Sequence, residues 1–130
     1  MLNSYYRGAH GVILMYDATN RSSFDNLTFW LDEINHNCTN REVVKMLVAS
    51  KLDSLEDKIR VGRSEGELFS IEHSMLFYEI SSKDDIGVCE CFTDLAVSLM
   101  ETNRPSREST NSGFYTIGNI ARDTSRCNSC

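Results

Sequence analysis

Three short polar segments each follow an apolar run: Asp17-Ala18-Thr19, Ser50-Lys51-Leu52-Asp53 and Ser81-Ser82-Lys83. An Asp at the end of a strand can accept two hydrogen bonds from a planar N–H/NH₂ edge, such as the one guanine carries. A Lys two residues earlier can lay its aliphatic stem against a ring. Polar residues favour loops of this kind in any case, so solvated loop residues are the competing account.

The other candidate side chains carry less. His10, His36 and His73 are scattered, and none has a Cys or carboxylate neighbour at metal-ligand spacing, so no metal site is expected. No catalytic residue is assigned. Cys89 and Cys91 form a C-x-C on a helical stretch, where burial of Cys91 on the apolar face is the simpler account. The terminal Cys127-Asn128-Ser129-Cys130 is a single C-x-x-C, weak support for zinc and poorly placed for redox chemistry. The five cysteines are odd in number and follow no disulfide framework, which points to reduced thiols in the cytosol.

The positions of the three loops depend on the elements before them. Gly11–Tyr16 is a continuous apolar run of the kind that forms a strand buried on both faces, and Val43–Ala49 and Met75–Ile80 read as a second and a third strand. Between and after them lie helical stripes. Phe24, Leu27, Trp30, Leu31 and Ile34 form the first, with Trp30 expected in the core. Leu68, Phe69 and Ile71 form the second, with Ser64 and Glu67 as a capping box. Val88, Cys91, Phe92, Leu95, Ala96 and Leu99 form the third, which should end near Asn103 because Pro105 cannot continue it. Strand–helix repeated three times requires crossover connections and parallel strands, so the fold class is α/β. Ligands of such sheets bind beyond the carboxyl ends of the strands, which brings Lys51, Asp53, Ser82 and Lys83 to one edge.

Composition narrows the function classes. The 130 residues carry a formal net charge of −6. Residues 1–102 hold nine Lys/Arg against 17 Asp/Glu, a net −8, and residues 103–130 hold four against two, a net +2. An acidic body argues against a nucleic-acid partner, since phosphate binding needs clustered cations. No apolar run of about 20 residues is present for a transmembrane helix. The first residues also lack the basic start and apolar stretch of a signal peptide. Residues 103–130 are dominated by Ser, Thr, Asn, Arg and Gly and read as a disordered tail.

The ordered runs SYYRGAHGVILMYDAT (4–19), SFDNLTFWLDEI (23–34), VVKMLVASKLD (43–53), EGELFSIEHSMLFYEISSK (65–83) and GVCECFTDL (87–95) resemble the C-terminal part of a Ras-superfamily small GTPase of the Rab family. The EHSMLF region most resembles the eighteenth-numbered Rab branch and its plant relatives. The resemblance covers about 100 of the 130 residues. It implies a partial Rab domain over 1–102 and a hypervariable tail over 103–130.

The resemblance also implies roles. Ser50-Lys51-Leu52-Asp53 falls on the guanine-specificity motif, usually Asn-Lys-x-Asp, with Asp53 on the base edge and Lys51 over its face. Ser81-Ser82-Lys83 falls on the Ser-Ala-Lys loop, where the Ser82 N–H would face the guanine oxygen. Ser50 stands where the family has Asn, and its shorter hydroxyl would lose one or two bonds to the phosphate loop, costing roughly 1–3 kcal/mol. Tyr5, Tyr6 and Arg7 match the end of the second switch, an effector-facing surface, although Tyr5 and Tyr6 packing beneath the sheet is an equal alternative. Cys127 and Cys130 fall where Rabs are prenylated.

The implied ligands are GTP and GDP, with Mg²⁺ from the family alone. The implied partners are Rab effectors, the escort and prenylation machinery, and the cytosolic face of endomembranes through a lipidated tail. These 130 residues contain no Gly-x-x-x-x-Gly-Lys-[Ser/Thr] loop, switch Thr or catalytic Gln. The expectation is therefore a vesicle-traffic switch sequence with weak or absent nucleotide binding. A non-enzymatic interaction fragment or an incomplete gene model is the alternative. The family sheet has six strands, so the first strand here should have an open edge and the isolated chain should be marginally stable.

Overall fold

The computed structural model describes residues 3–40, 42–53 and 58–102. The elements run α1 (Asn3–Tyr6), β1 (Gly11–Asp17), α2 (Arg21–Asp25), α3 (Leu27–Asn37), β2 (Val44–Ser50), α4 (Arg63–Glu72), β3 (Leu76–Glu79) and α5 (Val88–Thr102). The three apolar runs are the three strands, shifted by at most a residue or two at their ends. They form one parallel sheet in the order β1-β2-β3. The register runs from Gly11↔Val44 to Asp17↔Ser50 and from Met46↔Leu76 to Ala49↔Glu79. The α/β class follows as expected, and the carboxyl ends of all three strands share one edge.

Strand β2 is central, and Met46, Leu47, Val48 and Ala49 are at most 1% exposed. Its side chains alternate between two cores. Leu47 and Ala49 join Leu14, Tyr16, Leu27, Leu31 and Ile34 on the face covered by α2, α3 and α4. Met46 and Val48 join Ile80 and Cys91 on the face covered by α5. Full burial of a side chain such as Leu47 stabilises by roughly 1.5–3 kcal/mol. On the first face the rings of Tyr16, Phe24 and Phe69 stack edge to face, with centroids 5.0 and 5.7 Å apart. Burial, reinforced by the charges of Glu79 and Glu65, pushes the Tyr16 phenol up to about 12, so it stays neutral. Gly66 lets α4 approach this stack: a Cβ there would lie 2.5 Å from the Tyr16 hydroxyl and 2.7 Å from the Phe77 ring.

Several expectations need correction. The first helical stripe is two helices, because Asn26 ends α2 and begins α3. Trp30 is 41% exposed, and it lies edge to face with exposed Phe29 rather than in the core. The buried residues of α3 are Leu27, Leu31 and Ile34, a narrower stripe that leaves position 30 on its flank. On α4, Leu68 and Ile71 are exposed, while small Gly66 and Ser70 face the sheet, because the helix sits too close for larger side chains there. The helix starts at Arg63 with Gly62 as its N-cap, and Glu65, not Glu67, returns a carboxylate oxygen to the Gly62 N–H at 3.3 Å. Ser64 caps nothing.

The expectation of burial on both faces fails for β1, where Met15 is 55% exposed. A helix about 10 Å wide covers two strands spaced about 4.8 Å apart, and α5 lies over β2 and β3. Leu95 and Leu99 of α5 still reach Gly11 at the start of β1, and Ile13 packs against the same cluster, so only the far end of β1, at Met15, is left bare on that face. Phe92 of α5 is likewise exposed, whereas Cys91 is buried as expected, its sulfur 3.3 Å from that of Met46.

Candidate functional site

The carboxyl edge of the sheet gathers the three polar loops. The Ala18 N–H donates to the Ser50 carbonyl at 3.1 Å, and the Leu52 N–H to the Ile80 carbonyl at 3.4 Å, so the loops continue the sheet's own pairing. Each then turns sharply. Lys51 has φ +66°, a left-handed conformation that swings the next residues up over the strand ends. The Ser81–Ile86 loop is closed by reciprocal bonds between those two residues, at 3.0 and 2.9 Å. Gly87, at φ +74°, is required behind it, since a Cβ there would meet the Glu79 carbonyl oxygen at 2.6 Å.

Asp53 sits between the second and third loops. Its Oδ1 accepts from the hydroxyl of Ser81 at 3.0 Å, and Lys83 Nζ lies 3.8 Å from its Oδ2. Ser81 is 1% exposed, and its hydroxyl oxygen also accepts the Asp84 N–H at 3.2 Å. A buried serine therefore fixes both the carboxylate and the loop carrying Ser82 and Lys83. The Asp53 side chain is 18% exposed, so it opens to solvent on one side. A carboxylate has about four acceptor positions, and among the described residues the Ser81 hydroxyl occupies one of them.

Lys51 is placed differently from a side chain free to cover a ring. Its ammonium is ion-paired with Asp17 Oδ2. The other oxygen, Asp17 Oδ1, accepts from the Thr19 N–H at 2.8 Å and the Thr19 hydroxyl at 2.6 Å. Partial burial alone would raise the Asp17 carboxyl, but the bonds from Lys51 and Thr19 outweigh it and hold the group below the ordinary carboxylate range. The pairing anchors the tip of Lys51 while its stem, on a side chain 61% exposed, borders the Asp53 loop. Sequence reasoning placed Asp17 and Thr19 at this edge without a role. The Asp-x-Thr spacing, which favours a local turn closed by the carboxylate, was the available signal.

Ser50 turns inward. Its hydroxyl donates to the Tyr16 carbonyl at 2.8 Å, bonding β2 to β1 just beneath the loops. Tyr5, Tyr6 and Arg7 lie elsewhere. They occupy α1 and the following turn, near the end of α3 at the opposite edge of the sheet, where the Gly8 N–H donates to Thr39 Oγ1 at 3.2 Å. Tyr5 is 82% exposed and Arg7 is exposed, whereas Tyr6 packs against the first core. Cys127 and Cys130, with the whole of residues 103–130, lie outside the described residues. Among the described residues no group of three or more His, Cys, Asp or Glu is arranged to hold a metal ion. No helix among them is long and apolar enough to cross a membrane.

A family model described as the Ras family matches residues 1–101. The chain is 48% identical over 99 residues to Ras-related protein Rab-18-B of Danio rerio, covering 76% of this chain and 47% of that one. It is 44% identical over 99 residues to Ras-related protein Rab-18 of Caenorhabditis elegans, covering 76% and 48%. It is 39% identical to Ras-related protein RABC1 of Arabidopsis thaliana, across 99% of this chain and 62% of that one. The chain spans about half the length of the curated relatives it matches first.

Proposed function

The chain belongs to the Ras family, with Rab proteins as its relatives, and from that premise we propose that it carries the base-recognition part of a guanine-nucleotide switch acting in vesicle traffic. The observation that carries the reading is Asp53, held by buried Ser81 with acceptor positions left over, between Lys51 and the Ser82–Lys83 loop. In this reading the Asp53 carboxylate accepts two N–H groups from the guanine edge, a pairing adenine cannot supply. The Lys51 stem, anchored at its tip by Asp17, borders one face of the base, and the Ser82 N–H donates to the guanine oxygen. The nucleotide, when bound, supplies the phosphates and draws Mg²⁺ to them, and none of the residues assigned here holds either. Lys51, Asp53, Ser82 and Lys83 therefore recognise the base, Ser50 and Ser81 hold their loops from beneath, and none of the six takes part in hydrolysis.

Ser50 bears on affinity. Its hydroxyl is directed to the Tyr16 carbonyl, so it offers nothing toward a phosphate-binding segment where the family has an Asn amide. The 130-residue chain is accordingly expected to bind GTP and GDP weakly and not to hydrolyse GTP. Guanosine should perturb the amide resonances of residues 51–53 and 81–83 in the millimolar range. Adenosine should not, and Asp53→Ala should abolish the effect. Equal responses to the two nucleosides would remove the base-recognition reading. Submicromolar binding of a fluorescent GTP analogue with Mg²⁺ would remove the weak-binding one.

The tail reading completes the proposal. Cys127, Cys130 or both receive prenyl groups through the escort and prenylation machinery, and the protein then sits peripherally on the cytosolic face of endomembranes. Two lipid chains give stable anchoring and one gives reversible binding. Tyr5 and Arg7, both exposed, support a second reading in which the chain contacts effectors or the escort machinery without binding nucleotide. Capture by an escort protein that depends on residues 127–130 would support it, and capture indifferent to them would count against it.

A further inference from the structure

At the edge of the sheet opposite the guanine loops, an open groove of about 480 Å³ runs between the starts of β2 and β3 and the last turn of α5. Its floor includes Met75 and Leu76, and Glu42 and Glu101 stand on its rim with Lys45. Lys45 donates to the side-chain oxygen of Asn35 at 3.3 Å. Among the described residues, neither Glu42 nor Glu101 has an ion-pair partner, while Arg21, Lys51, Arg63 and Lys83 are all paired with other carboxylates. Thr102, the final residue of α5, itself lines the groove, so the segment after it is joined to the body at that point.

We propose that the groove is the docking site of this chain's own residues 103–107, Asn-Arg-Pro-Ser-Arg, with Arg104 and Arg107 set against Glu101 and Glu42. Three observations select this occupant. The segment starts at the groove, and five residues span up to about 17 Å when extended, enough to reach the rim from Thr102. Residues 103–130 carry a net +2 against a net −8 for residues 1–102, and both of the segment's charges are positive. Proline cannot continue a helix and biases the residue before it, here Arg104, toward extended backbone, the form a groove of this shape would take up. The contact holds two of the tail's four arginines on the body and shortens the length of tail free to move.

The test uses the full 130-residue chain. Trypsin does not cut readily before proline, so the informative sites are Arg107 in the docked segment and Arg122 in the distal tail. Cleavage after Arg107 should run at least fivefold slower than in the Glu42→Gln/Glu101→Gln variant or in 0.5 M NaCl, while cleavage after Arg122 stays unchanged. Fivefold corresponds to about 1 kcal/mol, in line with two exposed ion pairs. Equal rates after Arg107 in the original chain and the variant would overturn the proposal. In Arg107→Lys, a carbodiimide should join position 107 to Glu42. A mixture of isotopically labelled and unlabelled chains should show that link within single chains. Links only to Glu101 or Glu108, or links between copies, would overturn it as well.

Discussion

Asp17 and Asp53 end neighbouring strand loops at the same edge and have almost the same side-chain exposure, 19% and 18%. Their surroundings differ. Asp17 accepts from the Thr19 N–H and hydroxyl on one oxygen and pairs with Lys51 on the other. Asp53 accepts one hydroxyl from Ser81 and has Lys83 at the loose distance of 3.8 Å. Equal burial therefore does not mean equal availability. Asp17 has three of its roughly four acceptor positions taken by Thr19 and Lys51 and works as a structural clamp. Asp53 is oriented by Ser81 and, among the described residues, keeps acceptor positions unused, the feature on which the proposed base recognition rests.

The largest expected effect that would break this contrast is loss of the clamp. Asp17→Ala leaves the Lys51 ammonium and the Thr19 N–H without their acceptor and should lower stability by about 2–3 kcal/mol in urea denaturation. Asp53→Ala should cost about 1 kcal/mol. If the two losses came out equal, or reversed, the assignment of structural and ligand-facing roles would fail.

Acid is the next lever. Because the folded-state carboxyl of Asp17 is held below its ordinary value, its contribution is fully present above the unfolded value of about 3.9 and is lost as pH falls through the lower folded value. Asp17→Asn should flatten the part of the stability profile between about pH 4 and the acid transition. An unchanged profile in that variant would place the acid sensitivity elsewhere.

Ser81 sharpens the other half of the comparison. Its hydroxyl joins Asp53 to the Asp84 N–H from a position 1% exposed. Ser81→Ala should cost about 1–2 kcal/mol and should also blur the guanosine-induced shifts at residues 51–53. Retention of sharp, guanosine-specific shifts would show that Asp53 is oriented by something other than this serine. The smallest effect belongs to Lys83→Ala, whose exposed ammonium should contribute less than about 0.5 kcal/mol. A larger loss by the same denaturation would mean that the Lys83–Asp53 pair is closer in solution than 3.8 Å.

Much of the frame was legible in the order of residues. Gly11–Tyr16 is an unbroken apolar run, and Val43–Ala49 and Met75–Ile80 are apolar but for Lys45 and Glu79; such runs have few ways to fold except as buried strands. Helix burial was less legible. Trp30, Leu68, Ile71 and Phe92 have the type and spacing of core residues yet are exposed, because the width of a helix's buried stripe depends on how closely it approaches the sheet. Gly66 sets that approach for α4, and its role becomes visible only once Tyr16 and Phe77 are beneath it.

The sequence by itself determined the α/β class, the three parallel strands and the shared edge to which Asp17, Lys51, Asp53, Ser81, Ser82 and Lys83 belong. Periodicity and chain order are local properties, and parallel crossovers follow from them. The tertiary structure decided how those residues are partnered. The bonds Asp17–Lys51, Ser50–Tyr16 and Asp53–Ser81 join positions about 30 residues apart in the chain, and each depends on register and on the left-handed turn at Lys51. Hydrogen bonds are short-ranged and directional, so a carboxylate's freedom to receive a ligand is fixed only when its neighbours are in place.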